Sequence, residues 1–163
     1  MTQTSPRASA GKGIALRLDG LSKAYGSVRA INDLSFAVDE GRFFVLFGPS
    51  SVGKTTTLRT IAGLVQADSG TLEIGGRDMT HAPIAGRGIS MVFPSFALYP
   101  HLTVYDNLAY PLREEKAARA EIDKRVKETA EILKLTHRLK AKPATLSGGE
   151  QQRVALGRSL IRR

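Results

Sequence analysis

The residues Gly48-Pro49-Ser50-Ser51-Val52-Gly53-Lys54-Thr55 carry the spacing G-x-x-x-x-G-K-[ST], which suits a loop that wraps a polyphosphate. The apolar run Phe43–Phe47 leads into this loop and a helical pattern leads out of it, so the motif has the strand–turn–helix setting it requires. In that setting successive backbone N–H groups converge on phosphate oxygens. The helix start adds its own unpaired donors and a positive dipole end. Lys54 is placed to neutralise the β- and γ-phosphates and the Thr55 hydroxyl to bind Mg²⁺. Contact with the nucleotide is expected along Gly48, Pro49, Ser50, Ser51, Val52, Gly53, Lys54, Thr55 and Thr56. Chance places such a motif in roughly one chain of this length in two hundred, and a plain Gly-rich turn with a solvated lysine is the weaker reading.

A second Gly-rich turn, Leu146-Ser147-Gly148-Gly149-Glu150, also stands immediately before a helical pattern. Its N–H donors and dipole again favour an anion, so the sequence offers two helix starts suited to phosphate. Other chemistries find less support. The chain has no cysteine, which removes disulfides, thiol catalysis and Cys-ligated zinc. His81, His101 and His137 lie far apart, without metal-ligand spacing. The net charge of +9 is dispersed and lacks the aromatic interleaving of single-strand binders, so no nucleic-acid partner is expected.

The elements that position these residues follow from periodicity. Ile14–Leu18 alternates as a strand, and Leu21–Gly26 reads as a turn. Val28–Ile31 and Leu34–Val38 read as two strands around an Asn32-Asp33 turn. Arg42–Phe47 and Gly88–Phe93 are dominated by apolar residues and predict strands buried on both faces, as in a parallel sheet. A helix is expected over Lys54–Leu64, with Leu58, Ile61, Ala62 and Val65 on one face. A hairpin follows, Thr71–Ile74 with Arg77–Met79 across Gly75-Gly76. Thr103 with Asp106 marks a helix start, Glu114–Leu135 reads as one amphipathic helix, and a last helix follows Glu150. The expected organisation is a disordered tail over 1–13, a nucleotide-binding core with an antiparallel β subdomain over 14–95, a helical subdomain over 96–140, and the second Gly-rich turn with its helix over 141–163.

Leu146-Ser147-Gly148-Gly149-Glu150-Gln151-Gln152-Arg153 resembles the signature motif of ABC-type transporter ATPases, and the resemblance extends from about Ala15 to Arg163. It implies an α/β fold: a P-loop NTPase core of ABC type with an antiparallel β subdomain and an inserted α-helical subdomain, C-terminally incomplete. It further implies ATP and Mg²⁺ as cofactors, with Thr55 as the metal-binding side chain. By the same resemblance Tyr25 stacks on adenine, and Ser147, Gly148, Gly149 and Glu150 cover the γ-phosphate held by a partner's P-loop. The partners implied are a second ATP-binding subunit, as homodimer or heterodimer, and transmembrane permease subunits, placing the protein in the cytoplasm on the inner face of the membrane. Met91-Val92-Phe93, Ala97–Val104 and Asp106–Ala109 look like the subgroup serving carbohydrate and glycerol-phosphate importers, where this stretch docks onto the permease.

Departures from the family pattern carry their own expectations. Ser51 occupies a position that is often Gly, and Glu150 one that is usually Gln. Pro94 stands where the family has a glutamine that touches Mg²⁺ and helps order the attacking water. Proline offers neither an amide side chain nor a backbone donor. The catalytic set is incomplete by the same comparison, because the family's Mg²⁺-binding aspartate, catalytic glutamate and switch histidine have no counterpart before Arg163. The expectation is an importer ATPase subunit that is truncated and defective in hydrolysis. The alternatives are a non-catalytic nucleotide-binding partner of an intact subunit, or a nonfunctional remnant.

Overall fold

The computed structural model describes residues 13–162, so the tail expected over 1–13 lies almost wholly outside the described residues. The described residues form two compact units that divide between Ile89 and Ser90. The chain contains one antiparallel sheet and four α-helices among the described residues, an α/β composition as expected.

The first unit is built on strands β1 (Ile14–Tyr25), β2 (Val28–Asp39), β3 (Ser69–Ile74) and β4 (Arg77–Asp78), in the order β2-β1-β3-β4. Every pairing is antiparallel. The expected hairpin across Gly75-Gly76 is present as β3 and β4. Two expected turns are absent. Leu21–Tyr25 continues β1, and Asn32-Asp33 lies inside β2, because the ladder tolerates register shifts on both sides of Leu21. Asp33 adopts a left-handed φ of 51° there, and its N–H donates to Ser22 Oγ at 2.9 Å. Leu18, Leu21 and Leu72 face inward with Ile31 and meet Ile61 of helix α1 (Lys54–Ile61). On α1 the buried side chains are Thr57, Thr60 and Ile61, whereas Leu58 is half exposed, so the expected apolar face is only partly used.

The expected strands at Arg42–Phe47 and Gly88–Phe93 do not form. Neither segment makes a ladder, and Phe43 and Phe47 are 94% and 95% exposed. A strand exists only by virtue of a neighbour that satisfies its N–H and C=O groups. No such neighbour stands beside either run among the described residues. Phe44 alone finds an aromatic partner, stacking on Phe36 with ring centroids 4.8 Å apart.

The second unit is helical: α2 (Val104–Glu114), α3 (Arg119–Ile132) and α4 (Gly148–Leu160). Thr103 caps α2 as expected, accepting from the Asp106 N–H, and Thr103 Oγ1 donates to Asp106 Oδ2 at 2.6 Å. The single helix expected over Glu114–Leu135 instead begins at Arg119, because Lys116 turns left-handed and Ala117 N–H closes back on Leu112 O. Ile122, Val126 and Ala130 do form the buried face of α3. They pack with Leu108, Leu112 and Val154 into one core. Asn107, fully buried, donates through Nδ2 to the carbonyls of Tyr99, Leu102 and Thr103 and thereby fastens the preceding loop to α2.

Candidate nucleotide site

The candidate phosphate loop Gly48–Gly53 ends at the N-cap of α1, where Gly53 has φ 94°. A Cβ at this position would lie 1.9 Å from Ala30 O, so only glycine permits both the left-handed turn and the approach to β2. The first helical bond runs from Thr57 N–H to Gly53 O at 2.8 Å. The N–H groups of Lys54, Thr55 and Thr56 therefore have no acceptor within the helix and emerge at its positive end. Lys54 Nζ donates to Gly48 O at 2.8 Å and to Pro49 O at 2.5 Å, so the ammonium lies across the mouth of its own loop. Pro49, Ser50, Ser51, Val52 and Thr55 are exposed, while Gly48, Gly53, Lys54 and Thr56 are half-buried. This donor set, one cation with an exposed hydroxyl and convergent amides, fits a polyphosphate with a divalent cation.

Tyr25, 51% exposed as a residue, closes β1, and its aromatic ring suits stacking on a flat base. Spacing gave no sign of the residue that holds this strand end. Asp68 accepts from Lys23 Nζ at 2.6 Å and from Ala24 N–H at 2.7 Å, and Lys23 Nζ lies 5.7 Å from the Tyr25 ring centroid. The Lys23 and Ala24 hydrogen bonds hold the Asp68 carboxyl below the usual carboxylate range. Asp68 sits more than forty residues from its partners, so only the fold brings them together.

In the second unit Ser147 is the N-cap of α4, and Ser147, Gly148 and Gly149 are exposed. Glu150 is turned inward instead. Its Oε2 accepts from Ser147 N–H at 2.8 Å and from the Ser147 hydroxyl at 2.9 Å, and its Oε1 accepts from Arg138 Nε at 2.8 Å. With Glu150 N–H donating to Ser147 Oγ, this is a complete capping box. The Ser147 backbone bond, then Arg138 and the Ser147 hydroxyl, depress the Glu150 pKa to about 2.

Pro94 opens a turn in which Phe96 and Ala97 are both left-handed, with φ 60° and 47°. Arg158 holds this turn, donating to Ala97 O and lying 4.5 Å over the Tyr99 ring, which in turn meets Tyr110. Beside them is a cleft of about 310 Å³ lined by Phe93, Phe96, Tyr110, Glu114 and Arg162. Among the described residues no helix is long and apolar enough to cross a membrane.

The chain is similar to known proteins over most of its length. Over 154 residues the chain is 49% identical to the trehalose/maltose import ATP-binding protein MalK of Thermococcus litoralis, covering 91% of this chain and 41% of that protein. It is 53% identical over 142 residues to the sn-glycerol-3-phosphate import ATP-binding protein UgpC 3 of Rhizobium etli, covering 87% and 41% respectively. It is also 45% identical over 153 residues to the spermidine/putrescine import ATP-binding protein PotA of Rubrobacter xylanophilus, covering 94% and 41%. The chain thus spans about two fifths of the length of the curated relatives it matches. The family model described as ABC transporter matches residues 31–163, a stretch that takes in both the phosphate-binding loop and the Ser147 turn. With that agreement between motif, geometry and kinship, the chain belongs to the ABC transporter family.

Proposed function

We propose that the chain binds MgATP as part of the ATP-binding subunit of an importer, with carbohydrate or glycerol phosphate as the solute class. The observation that carries this reading is the P-loop: Gly53 capping α1 against Ala30 O, with Lys54 held across the loop mouth. Lys54 and the amides of Lys54 to Thr56 bind the β- and γ-phosphates, the Thr55 hydroxyl is a ligand of Mg²⁺, and Tyr25 stacks on adenine. Ser147, Gly148 and Gly149 meet the γ-phosphate held by a second ATP-binding subunit, and the Tyr99–Tyr110 cleft receives a permease segment. The likeness to polyamine as well as sugar relatives supports the importer class more firmly than any one solute.

Pro94 supports a second reading, in which the protein binds nucleotide and pairs with an intact subunit without turning ATP over. Pro94 has no amide to place a water or touch Mg²⁺. Titration with a fluorescent ATP analogue and Mg²⁺ tests the common part of both readings. Saturable binding that Lys54→Ala abolishes is expected, and binding indifferent to Lys54→Ala would sink them together. Phosphate release by the unaltered protein favours the active importer subunit, whereas release that appears only in Pro94→Gln favours the silent partner.

A further inference from the structure

The helix that starts at the phosphate loop is closed at its other end by a buried arginine that the motif does not contain. Arg87 is 4% exposed and donates only to backbone carbonyls. Its Nη1 reaches Thr60 O and Ile61 O, both at 3.0 Å, at the C-terminus of α1. Its Nη2 and Nε reach Ala82 O at 2.9 and 3.1 Å, and Nη2 also reaches Thr80 O at 3.4 Å. The last carbonyls of a helix need partners from outside its regular ladder. Here Leu58 O accepts from Ala62 N–H, Arg59 O from Leu64 N–H, and Thr60 O from Gly63 N–H. Ile61 O is left to Arg87.

The segment that Arg87 joins to α1 is itself fixed. Asp78 Oδ1 accepts from Thr80 N–H at 2.8 Å, and the Thr80 hydroxyl accepts from Leu72 N–H at 2.9 Å, so residues 80–82 are fastened to the sheet. Gly63 makes room for the arginine, since a Cβ there would lie 2.6 Å from Arg87 Nε. A helix of eight residues is only about 12 Å long, so a shift at one end becomes a shift at the other. A buried cation at the carbonyl end also opposes the negative pole of the helix.

We infer that Arg87 is a positioning residue for the phosphate loop: by clamping the C-terminus of α1 to residues 80–82, it fixes the helix whose N-terminal amides face the triphosphate. This rests on the reading of Gly48–Thr55 as the nucleotide site. Phosphate affinity should then depend on Arg87, whereas affinity for the bare nucleoside should not.

The experiment compares ATP, ADP and adenosine binding by the whole chain in Arg87→Met, Arg87→Lys and Gly63→Ala, with Lys54→Ala as control. Arg87→Met should weaken ATP and ADP about tenfold, the scale of one lost charge-assisted hydrogen bond. Adenosine affinity should stay within about twofold, since adenosine makes no phosphate contact for the clamp to support. Arg87→Lys keeps the charge but not the planar fork, so it should recover only part of the loss. Gly63→Ala should produce a phosphate defect both by displacing the guanidinium and by straining the left-handed Gly63 turn (φ 81°), so on top of Arg87→Met it should add less than its effect alone. A lower melting temperature or smaller binding-competent fraction with unchanged ATP affinity in Arg87→Lys and Gly63→Ala would overturn the inference in favour of simple structural support. Parallel loss of adenosine and ATP would also overturn it. ATP binding unaffected by Lys54→Ala would instead remove the nucleotide reading on which it stands.

Discussion

Ser51 occupies the P-loop with φ 64°, a region where an L-residue with a Cβ costs about 1–2 kcal/mol. Glycine adopts this conformation without that cost, which gives a physical reason for the glycine that the family resemblance implies here. Ser51→Gly should relieve that strain in the unliganded loop and raise the midpoint of thermal unfolding, with ATP affinity on equilibrium titration unchanged within about twofold. Weaker binding would mean that the hydroxyl itself contacts the phosphates. Glu150 presents the opposite case, a charged residue in place of an amide that has been absorbed into a helix cap. Its pKa is lowered from an ordinary value near 4.5 to about 2. The cap is therefore fully formed above pH about 4.5 and is lost as pH falls toward about 2, where the carboxylate protonates. Asp106, lowered by its Thr103 hydrogen bond, titrates in the same direction. The Glu150 share is accordingly the acid-induced loss of helical circular dichroism that disappears in Glu150→Gln. An unchanged acid transition in that variant would refute the assignment.

At the level of elements, what the sequence made legible was local chemistry. The loop at Gly48–Thr55, the Thr103 cap, the Gly75-Gly76 hairpin and the buried face of α3 each depend on residues a few positions apart, and each is found. The Asp68 clamp and the Arg87 clamp join residues far apart in the chain, and nothing in the spacing announced them. The apolar runs at 42–47 and 88–93 misled for a different reason: hydropathy reports what a segment would bury, and pairing depends on a neighbour. Helix packing yields a further expectation. Gly157 lies in α4 where a Cβ would meet Leu108 Cδ2 at 2.5 Å and Leu133 Cδ1 at 2.9 Å. Alanine is the better helix former by about 1 kcal/mol, yet Leu108 is fully buried and has little room to yield. Overpacking of this kind costs about 1–3 kcal/mol. Gly157→Ala should therefore lower the midpoint of thermal unfolding despite its favourable propensity, and a rise would show that the core relaxes around the methyl group.

For the molecule as a whole, the two most exposed large apolar side chains among the described residues, Phe43 and Phe47, stand immediately before the candidate nucleotide loop. Phe43, Val45 and Phe47 are spaced by two, and each is exposed. An unpaired apolar segment of this kind is a template for association between chains. The net charge of +9 opposes it only at low ionic strength, since salt screens charge repulsion and leaves apolar attraction in place. Phe43→Ser with Phe47→Ser should raise the monomeric fraction of the 163-residue chain on size-exclusion chromatography. The unfolding free energy should change by less than about 0.5 kcal/mol per site. Persistent self-association in the double variant would place the sticky surface elsewhere.

The unladdered runs also invert the usual relation between hydropathy and amide protection. In most globular proteins the apolar stretches are central strands, whose amides exchange with solvent only through large-scale opening. Here the amides of 42–47 and 88–93 lack ladder partners, whereas the polar, highly charged helix α3 has its amides locked in helical bonds. In the 163-residue chain deuterium should enter 42–47 and 88–93 before α3, and a protease should cut beside phenylalanine and valine there more readily than in the charged helices.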